Sequence, residues 1–219
     1  MALLNANTIS PEERELQKKR NELTEIESEL AQRELDLATL QAEINAFERQ
    51  YLSVVGARYA ELDEVRAHIA EARARLRPDD RRAREEAEET ANRAQESAQE
   101  AASVSEEDAH SKFKPSNDLK KLYREMARLL HPDLATEPQE RDRRHTFMVQ
   151  LNLAFEKGDE ERMRIILQEW EAGPQQTEAG GIGAELVRVI RKIAQAEERI
   201  SAIGAQIESL LESEIYQLF

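Results

Sequence analysis

The sequence predicts an all-α protein in which long coiled-coil helices flank a small helical hairpin. Three observations predict it. Charged residues make up 35% of the 219 residues and aromatics only 5%, with 7 Gly and 6 Pro, the profile of long helices and not of a sandwich or a doubly wound sheet. Leu16, Leu23, Leu30, Leu37, Ile44 and Tyr51 recur every seven residues, the period of a helical seam facing a partner helix. Near the other end Leu186, Ile193, Ile200 and Ile207 do the same, with Val189, Ala196, Ile203 and Leu210 three residues later.

The first helix starts at Ser10-Pro11-Glu12-Glu13, with Ser as N-cap, Pro at the first helical position and acids in the first turn. Three residues after each member of the first series stand Lys19, Ile26, Arg33, Leu40, Phe47 and Val54. The seam therefore covers more than five heptads, with Lys19 and Arg33 as polar interruptions of the kind that fix register. A helix from Pro11 to Val54 is about 66 Å long at 1.5 Å per residue. Near Gly56 the phase slips: Val55, Leu62, Ile69 and Leu76 form a second series, four residues out of step with Tyr51. Either the helix continues through a stutter, or it turns and a second helix folds back. Ser53-Val54-Val55-Gly56 is poor helix material, which favours a break or bend.

Pro78 closes an N-terminal coiled-coil region, residues 1–78. Residues 79–112 read as a charged helical or flexible spacer. Between 81 and 109 only Val104 is apolar and larger than Ala, so the segment has little to bury and is expected to be solvated, supported by charge pairs one turn apart. Residues 171–183, "EAGPQQTEAGGIG", read as a linker. Gly181-x-Gly183 has no strand before it and is not a phosphate loop. Residues 184–219 form the C-terminal coiled-coil helix. Two arrangements satisfy the terminal seams: pairing with each other as an antiparallel stalk, or each with another copy in a homo-oligomer.

Between the seams, residues 113–170 form the compact part. Ser116 or Asn117 supplies an N-cap, and the helix that follows puts Leu119, Leu122, Tyr123, Met126 and Leu129/Leu130 on one face. Lys120, Arg124 and Arg128 make a basic stripe on another face, with Lys121 beside it. The helix must end by His131, because Pro132 disfavours helical geometry in the residue before it. A third segment, about Arg141 to Glu156, carries Phe147, Leu151, Ala154 and Phe155 on one face, and "GDEERMRIILQEW" adds Met163, Ile166, Leu167 and Trp170.

These residues carry a resemblance. "DLKKLYREMARLLHPDL" resembles helix II and the following loop of the J-domain of DnaJ-type co-chaperones, and Leu151-Asn152-Leu153-Ala154-Phe155 is similar to that family's helix III pattern. The resemblance covers about a quarter of the chain. It departs from the family at helix I, where "EEDAHSKFKPS" stands with Phe113 as the one candidate anchor, and at Leu134, where a Lys often follows His-Pro-Asp. Gly/Phe-rich and zinc-binding regions are absent, as in a minimal J-protein attached to an unrelated targeting module.

The resemblance implies that helix II and its loop dock on a DnaK-type heat-shock chaperone and stimulate its ATP hydrolysis. Lys120, Lys121, Arg124 and Arg128 would present a positive face to an acidic groove, giving steering and register. Asp133 would accept hydrogen bonds from partner cations, Pro132 would fix the loop, and His131 would orient it through a ring nitrogen. The coiled-coil arms would hold a client or a complex. The competing expectation is a structural coiled-coil adaptor of a larger assembly, its J-domain degenerate and its tripeptide an ordinary helix stop.

Composition narrows the rest. The net charge of -14 argues against a nucleic-acid binder, although residues 113–170 are balanced, with 11 basic and 11 acidic side chains. The absence of Cys excludes disulfides, thiolate catalysis and Cys-based zinc sites. His68, His110 and His145 stand without metal-ligand spacing, and no nucleophile–base pair stands out. The expectation is a non-enzyme with no cofactor and no metal. With no long apolar run and no signal-peptide pattern at the N-terminus, the sequence is expected to be that of a soluble cytoplasmic protein.

Overall fold

The computed structural model describes residues 10–102, 113–173 and 180–219. These are helical, with no strand among the described residues: α1 (Pro11–Tyr51), a π-helical turn (Leu52–Gly56), α2 (Ala57–Leu76), α3 (Arg81–Ala102), α4 (Asn117–Leu130), a 3-10 turn (Pro132–Leu134), α5 (Pro138–Glu156), α6 (Glu160–Ala172), α7 (Ile182–Leu211) and α8 (Glu214–Leu218). None of the described helices is long and apolar enough to cross a membrane. The chain divides into two compact units, one of Met1–Gln41 with Lys114–Gln217 and one of Ala42–Phe113 with Leu218–Phe219.

In the first unit, α1 opens with a reciprocal capping box. The Ser10 hydroxyl accepts from the Glu13 N–H at 3.1 Å, and the Glu13 carboxylate accepts from the Ser10 N–H at 2.7 Å, so two otherwise orphaned donors are satisfied. Leu16, Leu30 and Leu37 are buried against α7 residues, Leu16 with Val189 and Ile193, Leu30 and Leu37 with Ala196 and Ile203. The terminal helices thus pair within one chain. Their direction corrects the antiparallel expectation: Arg20 pairs with Glu185 and Glu34 with Arg199, each across 165 residues. Two such pairs at constant offset require parallel helices, and a long connection makes this possible where a tight turn would not. Both pairs join the residue just after a d position of α1 to the residue just before an a position of α7, the charge placement of parallel seams.

The hairpin of α4 and α5, with α6, packs in the same unit. Tyr123, Met126, Leu130, Leu151, Phe155, Met163 and Ile166 are fully buried. The Tyr123 and Phe155 rings lie 4.7 Å apart at 52°, a tilted pair worth ~0.5–1.5 kcal/mol beyond its buried area. The turn between α5 and α6 is a Schellman motif. Gly158 adopts φ 67°, the Asp159 N–H bonds the Ala154 carbonyl and the Gly158 N–H bonds that of Phe155, both at 2.9 Å. An L side chain would be strained there. Arg143 stacks 4.1 Å from the centre of the Trp170 ring and donates to the Trp170 carbonyl at 3.2 Å, closing α6 onto α5.

The second unit corrects two further expectations. The chain does not break near Gly56: Tyr51, Gly56 and Ala57 keep right-handed helical dihedrals, and the π turn lies between α1 and α2. A π turn adds a residue to one turn of helix, which absorbs the phase slip without folding back. The spacer, in turn, is not a solvated rod. Ala83, Ala87, Thr90, Ala94, Ser97 and Ala101 share the less exposed face of α3, as Ala60, Asp63, Ala67, Ala70 and Ala74 do on α2, and the two helices pack on each other through them. Small side chains let helices approach closely, so a segment without large apolar residues still packs.

Asp63 is buried in that contact, accepting from the Ser97 hydroxyl at 2.8 Å and from Arg66 at 3.0 Å. The Ser97 hydrogen bond, with Arg66 and Arg93 beside it, holds the Asp63 carboxyl below its ordinary range despite burial. The consequence for the Leu62 series is direct. With the small face of α2 turned to α3, Leu62, Val65, Ile69 and Leu76 are left exposed.

Candidate functional site

The site grows from the end of α4. Ser116 caps the helix, accepting from the Leu119 N–H at 3.0 Å, and Leu119, Tyr123, Met126, Ala127 and Leu130 bury one face. Lys121, Arg124 and Arg128 remain exposed and Lys120 half-buried. At His131 the N–H still bonds the Ala127 carbonyl at 3.0 Å, but ψ has moved to 126°, the extended geometry that a following Pro imposes. Pro132–Leu134 then forms one 3-10 turn.

That turn carries the His-Pro-Asp side chains to different places. Leu134 enters the seam between α1 and α7, in one cluster with Leu30, Leu37, Ala196 and Ile203. His131 is 2% exposed. Its Nδ1 accepts from the Asp133 N–H at 3.1 Å, and Nε2 lies 2.9 Å from Glu34 Oε1. Since Nδ1 is an acceptor, the ring proton is assigned to Nε2, which donates to the carboxylate. The same Glu34 oxygen accepts from Arg199 Nε at 2.8 Å.

Glu34 is therefore a buried carboxylate shared by two donors, one from the loop and one from α7. Burial alone would push its carboxyl up; the hydrogen bonds from His131 and Arg199 outweigh that and hold it below its ordinary range. Arg144 closes the other side, donating to the His131 carbonyl at 3.3 Å while pairing with Glu140 at 2.9 Å. Asp133 keeps its side chain 30% exposed, with Oδ2 4.0 Å from His131 Nδ1. With the Gln195 amide oriented to satisfy both of its neighbours, its nitrogen donates to the Asp133 carbonyl at 3.0 Å.

The basic stripe also meets α1. Arg124 donates to Gln32 Oε1 at 3.0 Å, above a shallow groove carrying Glu25, Glu29 and Asp36. Burial raises the Glu27 carboxyl, and the charges of Arg128, Lys192 and Arg144 only partly offset it. The two sequence motifs meet directly, since the Tyr123 hydroxyl donates to Asn152 Oδ1 at 2.8 Å.

Of the seven residues expected to bind a partner, Lys121, Arg124 and Arg128 face solvent, and Lys120, Pro132 and Asp133 are half-buried. His131 is withdrawn into an intramolecular contact. Sequence reasoning missed Glu34, Arg199 and Gln195. Glu34 and Arg199 flank the seams with opposite charges, a signal usable only once the parallel register is known. Phe113 is half-buried before α4; residues 106–112 of the segment standing where helix I is expected, His110 among them, lie outside the described residues. Among the described residues no cluster of side chains is suited to hold a metal ion.

No protein-family model matches this sequence, and no curated protein or solved structure matches it significantly.

Proposed function

We propose that this chain is a J-type co-chaperone whose docking loop is held closed against its own helical stalk. One observation carries the reading: the Tyr123–Asn152 hydrogen bond joins the helix II-like and helix III-like motifs into a single hairpin with His-Pro-Asp at its end. Lys121, Arg124 and Arg128 offer cations to an acidic partner surface, with Asp133 at the helix end. The partner is a DnaK-type chaperone, which supplies the ATPase chemistry, while the seam helices address it to a client or complex. In the closed form the imidazole is not available to a partner. Docking requires that the contact of His131 with Glu34 opens.

ATP hydrolysis by a DnaK-type chaperone, measured with the full chain, tests this. Stimulation is expected to rise in Glu34→Ala and to disappear when His131→Gln or Asp133→Asn is added. Equal rates with and without those additions would rule the proposal out.

One observation favours a second reading, that of a structural adaptor with a degenerate J-domain. His131 is satisfied at both ring nitrogens by groups of this chain, and Leu134 is part of the stalk core. On that reading the tripeptide fastens the hairpin to the stalk and the seams do the work. A Glu34→Ala protein with an accessible His131 that still leaves the ATPase unstimulated would select the adaptor.

A further inference from the structure

We propose that α7 is an autoinhibitory helix: its seat on α1 keeps the His-Pro-Asp loop shut, and its displacement from the seam releases the loop. The use of such a latch rests on the function proposed above, whereas its existence rests on contacts within this chain. α7 holds the loop through side chains and backbone alike. Leu134 is buried in one cluster with Leu30 and Leu37 of α1 and Ala196 and Ile203 of α7. The Gln195 amide donates to the Asp133 carbonyl at 3.0 Å and accepts from Arg141 at 2.7 Å. Arg199 donates to the same Glu34 oxygen that faces His131.

The seam has room for this wedge. Ala196 is the one seam position of α7 that carries no Leu, Ile or Val. Arg33, at a seam position of α1, is half-exposed and lies 3.9 Å from Glu29 of its own helix. Two helices that would otherwise close on each other therefore leave space for a third side chain, which Leu134 fills.

Without α7 the loop has little to hold it. Leu134 loses Ala196 and Ile203, so one side of its cluster is given over to water. The Asp133 carbonyl loses its donor. Glu34 loses Arg199 and its cover, and its contact with His131 becomes a surface pair of the kind that contributes little. Such coupling is reciprocal: the closed loop stabilises the seat of α7 as much as that seat stabilises the closed loop.

Val189→Glu/Ile193→Glu in the full chain tests the latch. Val189 and Ile193 pack with Leu16 in a seam cluster that does not include Leu134, and carboxylates buried there unseat α7. Modification of His131 by diethylpyrocarbonate, read by peptide mass, is expected to rise about tenfold or more. His145, exposed on α5, is the reference that should not change. Amide exchange should speed up in α7 and stay as in wild type in α4 and α5. An unchanged His131, or equal acceleration in α4 and α5, overturns the proposal. Amides of α7 as protected as in wild type would overturn the seam pairing on which it stands.

Leu134→Ala tests the reciprocal effect. Amide exchange at Val189 and Ile193 should rise about tenfold; unchanged exchange there overturns the coupling. ATP hydrolysis by a DnaK-type chaperone separates the latch from its use. Val189→Glu/Ile193→Glu should stimulate it more than wild type does. If His131 is released and the ATPase is not stimulated, the latch stands and the co-chaperone function fails.

Discussion

Replacing Glu34 by Gln probes the contact that closes the site. Oε1 of Glu34 accepts two hydrogen bonds, from His131 Nε2 at 2.9 Å and Arg199 Nε at 2.8 Å. Gln keeps the shape and one carbonyl oxygen but removes the charge. A hydrogen bond to a charged group contributes ~1.5–3 kcal/mol and an ordinary one ~0.5–1.5 kcal/mol, so the His131 bond weakens by about 1 kcal/mol, and the Arg199 bond, still charged at its donor, loses its charge–charge attraction, about as much again. Relief of carboxylate desolvation offsets part of this, leaving a destabilisation of ~1–2 kcal/mol at neutral pH. Glu34→Ala is harsher. It leaves His131 Nε2–H buried without an acceptor, and although Arg199 can turn to water, the cost is about 3 kcal/mol.

The loss also has a pH signature. The Glu34 carboxyl is held below its ordinary value of 4.5, so its contribution is fully present above that value and disappears as pH falls through the depressed folded one. The stability difference between wild type and Glu34→Gln should therefore be flat above pH 4.5 and shrink below it. Urea unfolding followed by the fluorescence of Trp170, the only Trp, measures the difference. Modification of His131 by diethylpyrocarbonate, read by peptide mass, measures whether the loop has opened. A Glu34→Gln protein as stable as wild type at every pH, with His131 equally protected, would refute the view that this carboxylate holds the loop.

Three further outcomes follow from the same structure. Leu134→Ala should cost ~2–4 kcal/mol in urea unfolding, because the side chain is buried in the stalk seam; a loss below ~0.5 kcal/mol would place that residue outside the cooperative core. Tyr123→Phe should cost about 1 kcal/mol by removing the bond to Asn152. Burial raises the Tyr123 phenol well above its ordinary value of 10.0, so wild type should lose stability as pH rises past that value and Tyr123→Phe should not show this component. Ala70→Leu should destabilise the α2–α3 contact by ~1–3 kcal/mol, seen as a lower thermal midpoint by circular dichroism; an unchanged midpoint would mean that the small-residue face is not closely packed.

Much of the fold is legible in the sequence because it is local. Ser10-Pro11-Glu12-Glu13 and Ser116 cap helices where the sequence places the caps, since capping depends on residues within one turn. Pro132 ends α4 for a reason confined to two adjacent residues. The phase slip at Gly56 is also readable, but its resolution is not: a π turn and a reversal satisfy the same pattern. The α2–α3 contact escaped notice because Ala is neutral in periodicity arguments, and a face of alanines announces nothing until a second one lies against it. The candidate site divides in the same way. Its cations, its Asp and its helix stop can be read along one stretch of chain, whereas the carboxylate that holds His131 lies 97 residues away.

The sequence by itself determined that this chain is helical, where its helices begin and end around capping residues and prolines, and which stretch carries the basic stripe and His-Pro-Asp. Tertiary structure alone decided that the terminal seams run parallel within one chain and that α2 turns its alanines inward and its leucines out. It alone decided that His131 faces Glu34 and Arg199. Helix propensity and capping act over one turn of chain, but a seam is equally apolar toward any partner and direction. Only the choice of partner brings a buried carboxylate to an imidazole, because burying that charge is tolerable only where both of its donors arrive together.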